Sequence, residues 1–116
     1  MTLDLFSLKG RTALVTGGSR GIGKMIARGF IDQGAKVYIS SRKAADCAAT
    51  AQELGPQCIA LPQDVSTVEG VKALAAAYQA RETRLDILVN NAGAAWGAPF
   101  DDFPESGWDK VMNLNL

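Results

Sequence analysis

Histidine is missing from all 116 residues, which excludes His-ligated metal sites, Ser-His-Asp triads and imidazole bases together. Cysteine is scarce. Cys47 and Cys58 lie too far apart for a C-x-x-C site and sit in apolar segments, so both read as small buried hydrophobes rather than a disulfide. No charge of one sign prevails: twelve basic residues balance twelve acidic ones, leaving no footprint for nucleic acid or an acidic surface. Apolar runs are short, and none approaches the length of a membrane span. Met1–Leu8 carries Asp4 and lacks the basic start and apolar stretch of a secretory signal, so a cytosolic location is expected. The length allows one small domain, and an apolar fraction of 47% is ordinary for a globular protein.

What the chain does have is glycine in a telling place. A short apolar run, Thr12–Val15, leads into Thr16-Gly-Gly-Ser-Arg-Gly-Ile-Gly23. Ile22, Met25, Ile26 and Phe30 then recur at helical spacing and predict an apolar stripe. Strand, glycine-rich turn and helix in this order make a phosphate cradle. The turn lets backbone N–H groups approach an anion, and the helix N-terminus adds unpaired donors and a positive dipole end. Gly17, Gly21 and Gly23 read G-x-x-x-G-x-G, which differs from the dinucleotide fingerprint G-x-G-x-x-G. Gly18, Gly23 and Lys24 come close to a Walker pattern, but Met25 stands where a magnesium-binding hydroxyl is required, and that reading is rejected.

The remaining pattern alternates. Lys36–Ser40 predicts a second strand after the glycine stop at Gln33-Gly-Ala35. Lys43–Leu54 predicts a helix with the stripe Ala44, Cys47, Ala48, Ala51 and Leu54, ended by Gly55-Pro56. Cys58–Leu61 reads as a third strand. Ser66 with Glu69 reads as a capping box opening a helix to about Ala80, with Val68, Val71, Leu74, Ala75 and Tyr78 inward. Leu85–Val89 is a fourth strand, and a last helix is expected from Glu105, with Trp108, Val111 and Met112 inward. Short apolar strands separated by helices predict an α/β fold: a parallel, doubly wound (Rossmann) sheet covered on both faces, its first half in the order 3-2-1-4. The last helix is still running at Leu116 without a cap, so the chain is expected to be the N-terminal half of a longer protein.

In such a sheet, ligands lie beyond the carboxyl ends of the strands. That rim would hold Thr16–Ile22, Ser41-Arg42, Asp64-Val65 and Asn91–Gly93. An acid at the end of the second strand would bond a ribose 2′-hydroxyl and repel a 2′-phosphate. Ser41 and Arg42 stand there instead, with Arg20 inside the glycine turn, which suits NADP(H). Asp64 is open to a second role, orienting the helix that follows it.

The T-G-x-x-x-G-x-G of Thr16–Gly23 and the Asn90-Asn-Ala-Gly93 after a buried strand resemble the short-chain dehydrogenase/reductase family over nearly the whole chain. The segments GGSRGIG, LDILVNNAG and WGAPF look most like its β-ketoacyl-acyl-carrier-protein reductases, the RhlG-type among them. The resemblance implies a cofactor turn of Gly17, Ser19, Arg20, Gly21, Ile22 and Gly23, with Asp64 and Val65 at the adenine. It also implies that Asn91, Ala92 and Gly93 lie beside the ribose and nicotinamide, and that Asn115 anchors a water of the proton relay. On the residues alone, Asn115 could equally be a core-edge amide.

Residues 1–116 are thus expected to be the NADP-binding half of an NADPH-dependent oxidoreductase. It would reduce a small ketone or a 3-oxoacyl thioester to the 3-hydroxy product, as a homo-oligomer when complete. The sequence departs from the family in one respect. No Tyr-x-x-x-Lys occurs: Tyr38 and Tyr78 have Arg42 and Glu82 four residues on, and both read as core residues. A nucleotide-binding module without turnover is therefore the competing expectation, and a methyltransferase a weaker one.

Overall fold

A computed structural model of the chain describes residues 7–91. The expected last helix, with Trp108, Val111, Met112 and Asn115, lies outside them, as do Ala92 and Gly93. Seven elements follow in order: β1 (Thr12–Thr16), α1 (Gly21–Asp32), β2 (Lys36–Ser40), α2 (Ala44–Leu54), β3 (Cys58–Ala60), α3 (Val68–Gln79) and β4 (Ile87–Asn90). All pairings are parallel and the order is β3-β2-β1-β4, as expected.

Because both faces of the sheet are covered, adjacent residues of one strand serve different cores. Leu14 and Tyr38 join Val71, Leu74, Ala75 and Tyr78 of α3 on one face. Ala13, Val15, Val37 and Ile39 meet Ala27 of α1 and Cys47, Ala51 and Leu54 of α2 on the other. Each large side chain buried this way contributes about 1.5–3 kcal/mol of transfer free energy. Both cysteines are free and buried in the second cluster, and burial pushes the Cys58 thiol up to about 11. Glycine ends the first two helices: Gly34 and Gly55 take φ of 100° and 102°, the left-handed region that other residues avoid.

The helix faces differ in detail from the predicted stripes. Ile26 and Phe30 pack against the core, but Ile22 and Met25 are 67% and 72% exposed. With 3.6 residues per turn, Gly23 and Ala27 point at the sheet, and this rotates Ile22 and Met25 off the buried arc. In α2, Cys47, Ala51 and Leu54 are buried as expected, whereas Ala44 and Ala48 are exposed and Thr50 is buried. The cap of α3 is Thr67, not Ser66: its hydroxyl accepts from the Gly70 N–H at 3.0 Å. Ser66 lies one residue before the cap, and its backbone N–H donates to Asp64 at 2.9 Å in the preceding turn.

The amino ends of the strands are closed by a polar cluster. The Tyr38 hydroxyl donates to Glu82 at 2.5 Å, and the Lys36 ammonium pairs with the same carboxylate at 2.6 Å. The Tyr78 hydroxyl bonds Thr12 and the Arg84 carbonyl. Asp86 accepts from the Thr12 N–H at 2.9 Å and pairs with Arg84 and Arg11. Burial alone would raise both carboxyls; for Glu82 the Lys36 and Tyr38 bonds outweigh it, and for Asp86 the Thr12 N–H and the two arginines do. Both therefore lie below their ordinary values of 4.5 and 3.8.

A lowered folded value means that these groups stabilise the fold above their ordinary range and cease to do so as pH falls through the lowered values. Lys36 is raised above 10.5, mainly by its bond to Glu82, so its contribution is complete below that pH and is lost above it. Glu82→Gln is expected to cost about 1–2 kcal/mol at neutral pH, the Lys36 side of the cluster being screened by water. Urea unfolding between pH 3 and 7 should show a shallower acid loss in the variant; parallel curves would remove Glu82 from the account.

Candidate functional site

The parallel register brings three strand ends to one level: Thr16 is paired with Ser40 on one side and Asn90 on the other. Thr16 is fully buried, and its hydroxyl accepts from the Asn91 N–H at 3.0 Å while reaching the Val89 carbonyl and Asn90 side-chain oxygens. The Asn91 side chain donates to the Gly17 carbonyl at 3.4 Å. The end of β4 is thereby locked to the glycine turn.

In the turn, the Gly17 and Gly18 N–H groups go to the Ser40 carbonyl at 2.8 and 3.3 Å and are unavailable to a ligand. The donors left over are those of α1's first turn, which have no carbonyl four residues behind them. Its N-cap, Arg20, makes no side-chain cap hydrogen bond, so the helix does not satisfy its own N-terminus. Gly17 and Gly21 have φ of 66° and 62° and shape the turn. Gly23 acts differently: a Cβ there would land on the Gly17 carbonyl and the Asn91 amide, so α1 can seat beneath the turn only without a side chain.

A cleft of about 480 Å³ lies over these strand ends. Gly17, Ser19, Arg20, Ser41, Arg42, Asp64, Val65 and Asn91, all expected at the site, line it. Gly21, Ile22 and Gly23 are not on its wall; they form the first turn of α1, with Ile22 facing outward. Ala92, Gly93 and Asn115 fall outside the described residues.

Ser40, Lys43, Asp46, Gln63 and Ser66 also line the cleft without being expected at the site, Ser66 reading in sequence only as a helix cap. Lys43 and Gln63 directly flank expected residues, which was an available signal; Asp46 comes round only because α2 starts at the rim. The Ser40 hydroxyl is buried and has no hydrogen-bond partner among the described residues. Arg20, Arg42 and Lys43 form no ion pair with other described residues; Lys9, Lys72 and Arg81 form none either, but only the first three line the cleft. The Asp64 carboxyl is held below 3.8, first by hydrogen bonding from Ser66, with the Arg42 charge adding to it. It is an ionised acceptor at neutral pH. Gly70 lets α3 close on this loop, since a Cβ there would strike the Asp64 carbonyl.

Unpaired donors, spare cations and a buried idle hydroxyl over the carboxyl ends of a parallel sheet define a site for a phosphorylated nucleotide. The chain belongs to the short chain dehydrogenase family, whose model matches residues 11–116. Among its relatives, it is 55% identical over 113 residues to the rhamnolipids biosynthesis 3-oxoacyl-acyl-carrier-protein reductase of Pseudomonas aeruginosa, covering 96% of this chain but 44% of that protein. A Pseudomonas aeruginosa RhlG/NADP active-site complex superimposes with a TM-score of 0.77 at 51% identity, over 97% of this chain and 43% of the other. The 3-ketoacyl-acyl-carrier-protein reductase of Brucella melitensis, solved with NADH, gives 0.67 at 36% identity, over 71% of this chain and 34% of the other. The chain thus spans less than half the length of these relatives.

Two glycines of one helix separate packing from propensity. Gly29→Ala, with nothing within 4 Å of the added Cβ, should stabilise the protein by about 0.5–1 kcal/mol. Gly23→Ala should displace the Gly17 carbonyl and abolish nucleotide binding. Thermal melts and nucleotide titrations of both variants test this, and a Gly23→Ala protein that binds normally would contradict the seating of α1.

Proposed function

We propose that this chain is the NADP-binding half of an NADPH-dependent reductase acting on a ketone, with a 3-oxoacyl thioester as the favoured substrate class. The observation that carries the cofactor reading is the set of Arg20, Arg42 and Lys43, three cations that line the cleft with no ion-pair partner among the described residues. The fold does not decide between cofactors, because a relative of the same fold was solved with NADH. The end of β2 does. Ser41, Arg42 and Lys43 present a hydroxyl and two cations where an acid would repel a 2′-phosphate.

The donors of α1's first turn suit the pyrophosphate, Asp64 and Val65 the adenine, and Asn91 the ribose end of the cleft. Ala92, Gly93 and Asn115 belong to the same proposal through the family pattern. When bound, NADPH supplies the hydride. The residues of this chain bind and orient it, and none of those described donates the substrate proton. Tyr38 and Tyr78 are buried, with their hydroxyls bonded to Glu82, Thr12 and Arg84 at the amino ends of the strands, away from the cleft. Burial pushes Tyr78 up to about 12. Residues 1–116 alone are expected to give no NADPH-dependent reduction of an acetoacetyl thioester; turnover that is lost on mutating one of these residues would overturn this assignment.

The cofactor assignment is tested by fluorescence titration of the full-length protein with NADPH and NADH. One charge-assisted bond to the 2′-phosphate should favour NADPH by about tenfold to a hundredfold. Arg42→Ala should weaken NADPH and leave NADH nearly untouched, and Ser41→Asp should move preference towards NADH. Equal wild-type affinities, or a loss shared by both nucleotides in Arg42→Ala, would remove the basis for NADP.

A further inference from the structure

The glycine turn is held on its outer side by a residue that does not line the cleft. Thr50 lies in the middle of α2, only 6% exposed, and its hydroxyl donates to the Ser19 carbonyl at 2.8 Å. On the other side, the turn is held by the Ser40 carbonyl through Gly17 and Gly18. Between these anchors lies the Ser19–Arg20 peptide. A trans peptide is planar, with its C=O and N–H on opposite sides, so fixing one fixes the other. With the Ser19 carbonyl turned to α2, the Arg20 N–H is turned away from α2, and no described backbone carbonyl takes it. Arg20 is also the extended, uncapped N-cap of α1, so the same peptide sets where that helix begins.

The docking of α2 does not itself need this bond. Lys24 and Arg28 of α1 already pair with Glu53, one turn further along α2, and Cys47, Ala51 and Leu54 supply its apolar contact. A threonine inside an alanine-rich helix would bury more safely as alanine or valine, because its hydroxyl must find an acceptor. It has found one in the turn. From this we infer that Thr50 is a positioning residue: it holds the glycine turn in its anion-binding form by aiming the Ser19–Arg20 peptide, and so prepares the turn for a dinucleotide pyrophosphate. The inference rests on the cofactor reading above and deepens it. The pyrophosphate is common to NADPH and NADH, so Thr50 sets affinity for both, whereas Arg42 sets the choice between them.

The test is titration of the full-length protein with NADPH and with NADH, alongside thermal melts. Thr50→Val keeps the volume and removes the hydroxyl. It should weaken both nucleotides by about threefold to tenfold, the effect of losing one ordinary hydrogen bond, with their ratio unchanged. Thr50→Ser restores the hydroxyl and should return both affinities to within about twofold of wild type. Should Thr50→Val not fold, Thr50→Ala is judged by the same titration and the same rescue. Wild-type affinities in the hydroxyl-free variant, a loss confined to NADPH, or a Thr50→Ser as impaired as Thr50→Val would each overturn the positioning role while leaving the cofactor site intact. Failure of the wild-type protein to bind either nucleotide would overturn the cofactor reading, and this inference with it.

Discussion

Everything at the carboxyl rim depends on how closely α1 can approach the end of β1. That approach exists because Gly23 has only a hydrogen where any other residue would drive a Cβ into the Gly17 carbonyl. Close seating puts the first turn of the helix under the glycine turn and within reach of the Asn91 amide. The unpaired N–H groups of a helix start then face the level at which β1, β2 and β4 all end. Lift the helix away and each group would survive separately, but none would converge. The buried Thr16 hydroxyl performs the matching service for β4, so the rim is locked from both sides of β1.

The two ends of the sheet divide their electrostatics. At the amino ends, charges and hydroxyls are used up on one another: Glu82 with Lys36 and Tyr38, Asp86 with Arg84, Arg11 and the Thr12 N–H. At the carboxyl ends, Arg20, Arg42 and Lys43 have no ion pair and the Ser40 hydroxyl no hydrogen-bond partner among the described residues. Paired groups stabilise the fold, and unpaired groups gathered over strand ends are what an anionic ligand needs. This asymmetry, more than any one motif, distinguishes the two tyrosines from catalytic acids: they sit among the paired groups.

Much of this was legible in the residues. The strand order, the glycine stops at Gly34 and Gly55, the buried free cysteines and the gathering of Gly17, Ser19, Arg20, Ser41, Arg42, Asp64, Val65 and Asn91 all follow from period, turn chemistry and topology. Other features were not. Ile22 and Met25 have the right spacing for a buried stripe, but spacing does not say which arc of the helix meets the sheet, and the small residues Gly23 and Ala27 took that place. Ser66 with Glu69 satisfies the capping box in sequence, yet it is the Thr67 hydroxyl that accepts from the Gly70 N–H, because the helix begins one residue later than the pattern implies. Lys43, Asp46 and Thr50 matter through where the start and inner face of α2 lie against the turn.

The sequence by itself determined the class of fold, its handed order and the chemical character of its rim, because hydrophobic period, glycine placement and the sign of charge after each strand are local properties. Only the tertiary structure decided which donors remain free, which helix arc is buried and which hydroxyl aims the glycine turn. These depend on pairings across long stretches of chain, Thr16 with Asn91 and Ser19 with Thr50, where one hydrogen bond removes a group from the site and another prepares it. Such competition is settled by distance and direction in the folded chain, and no local pattern carries either.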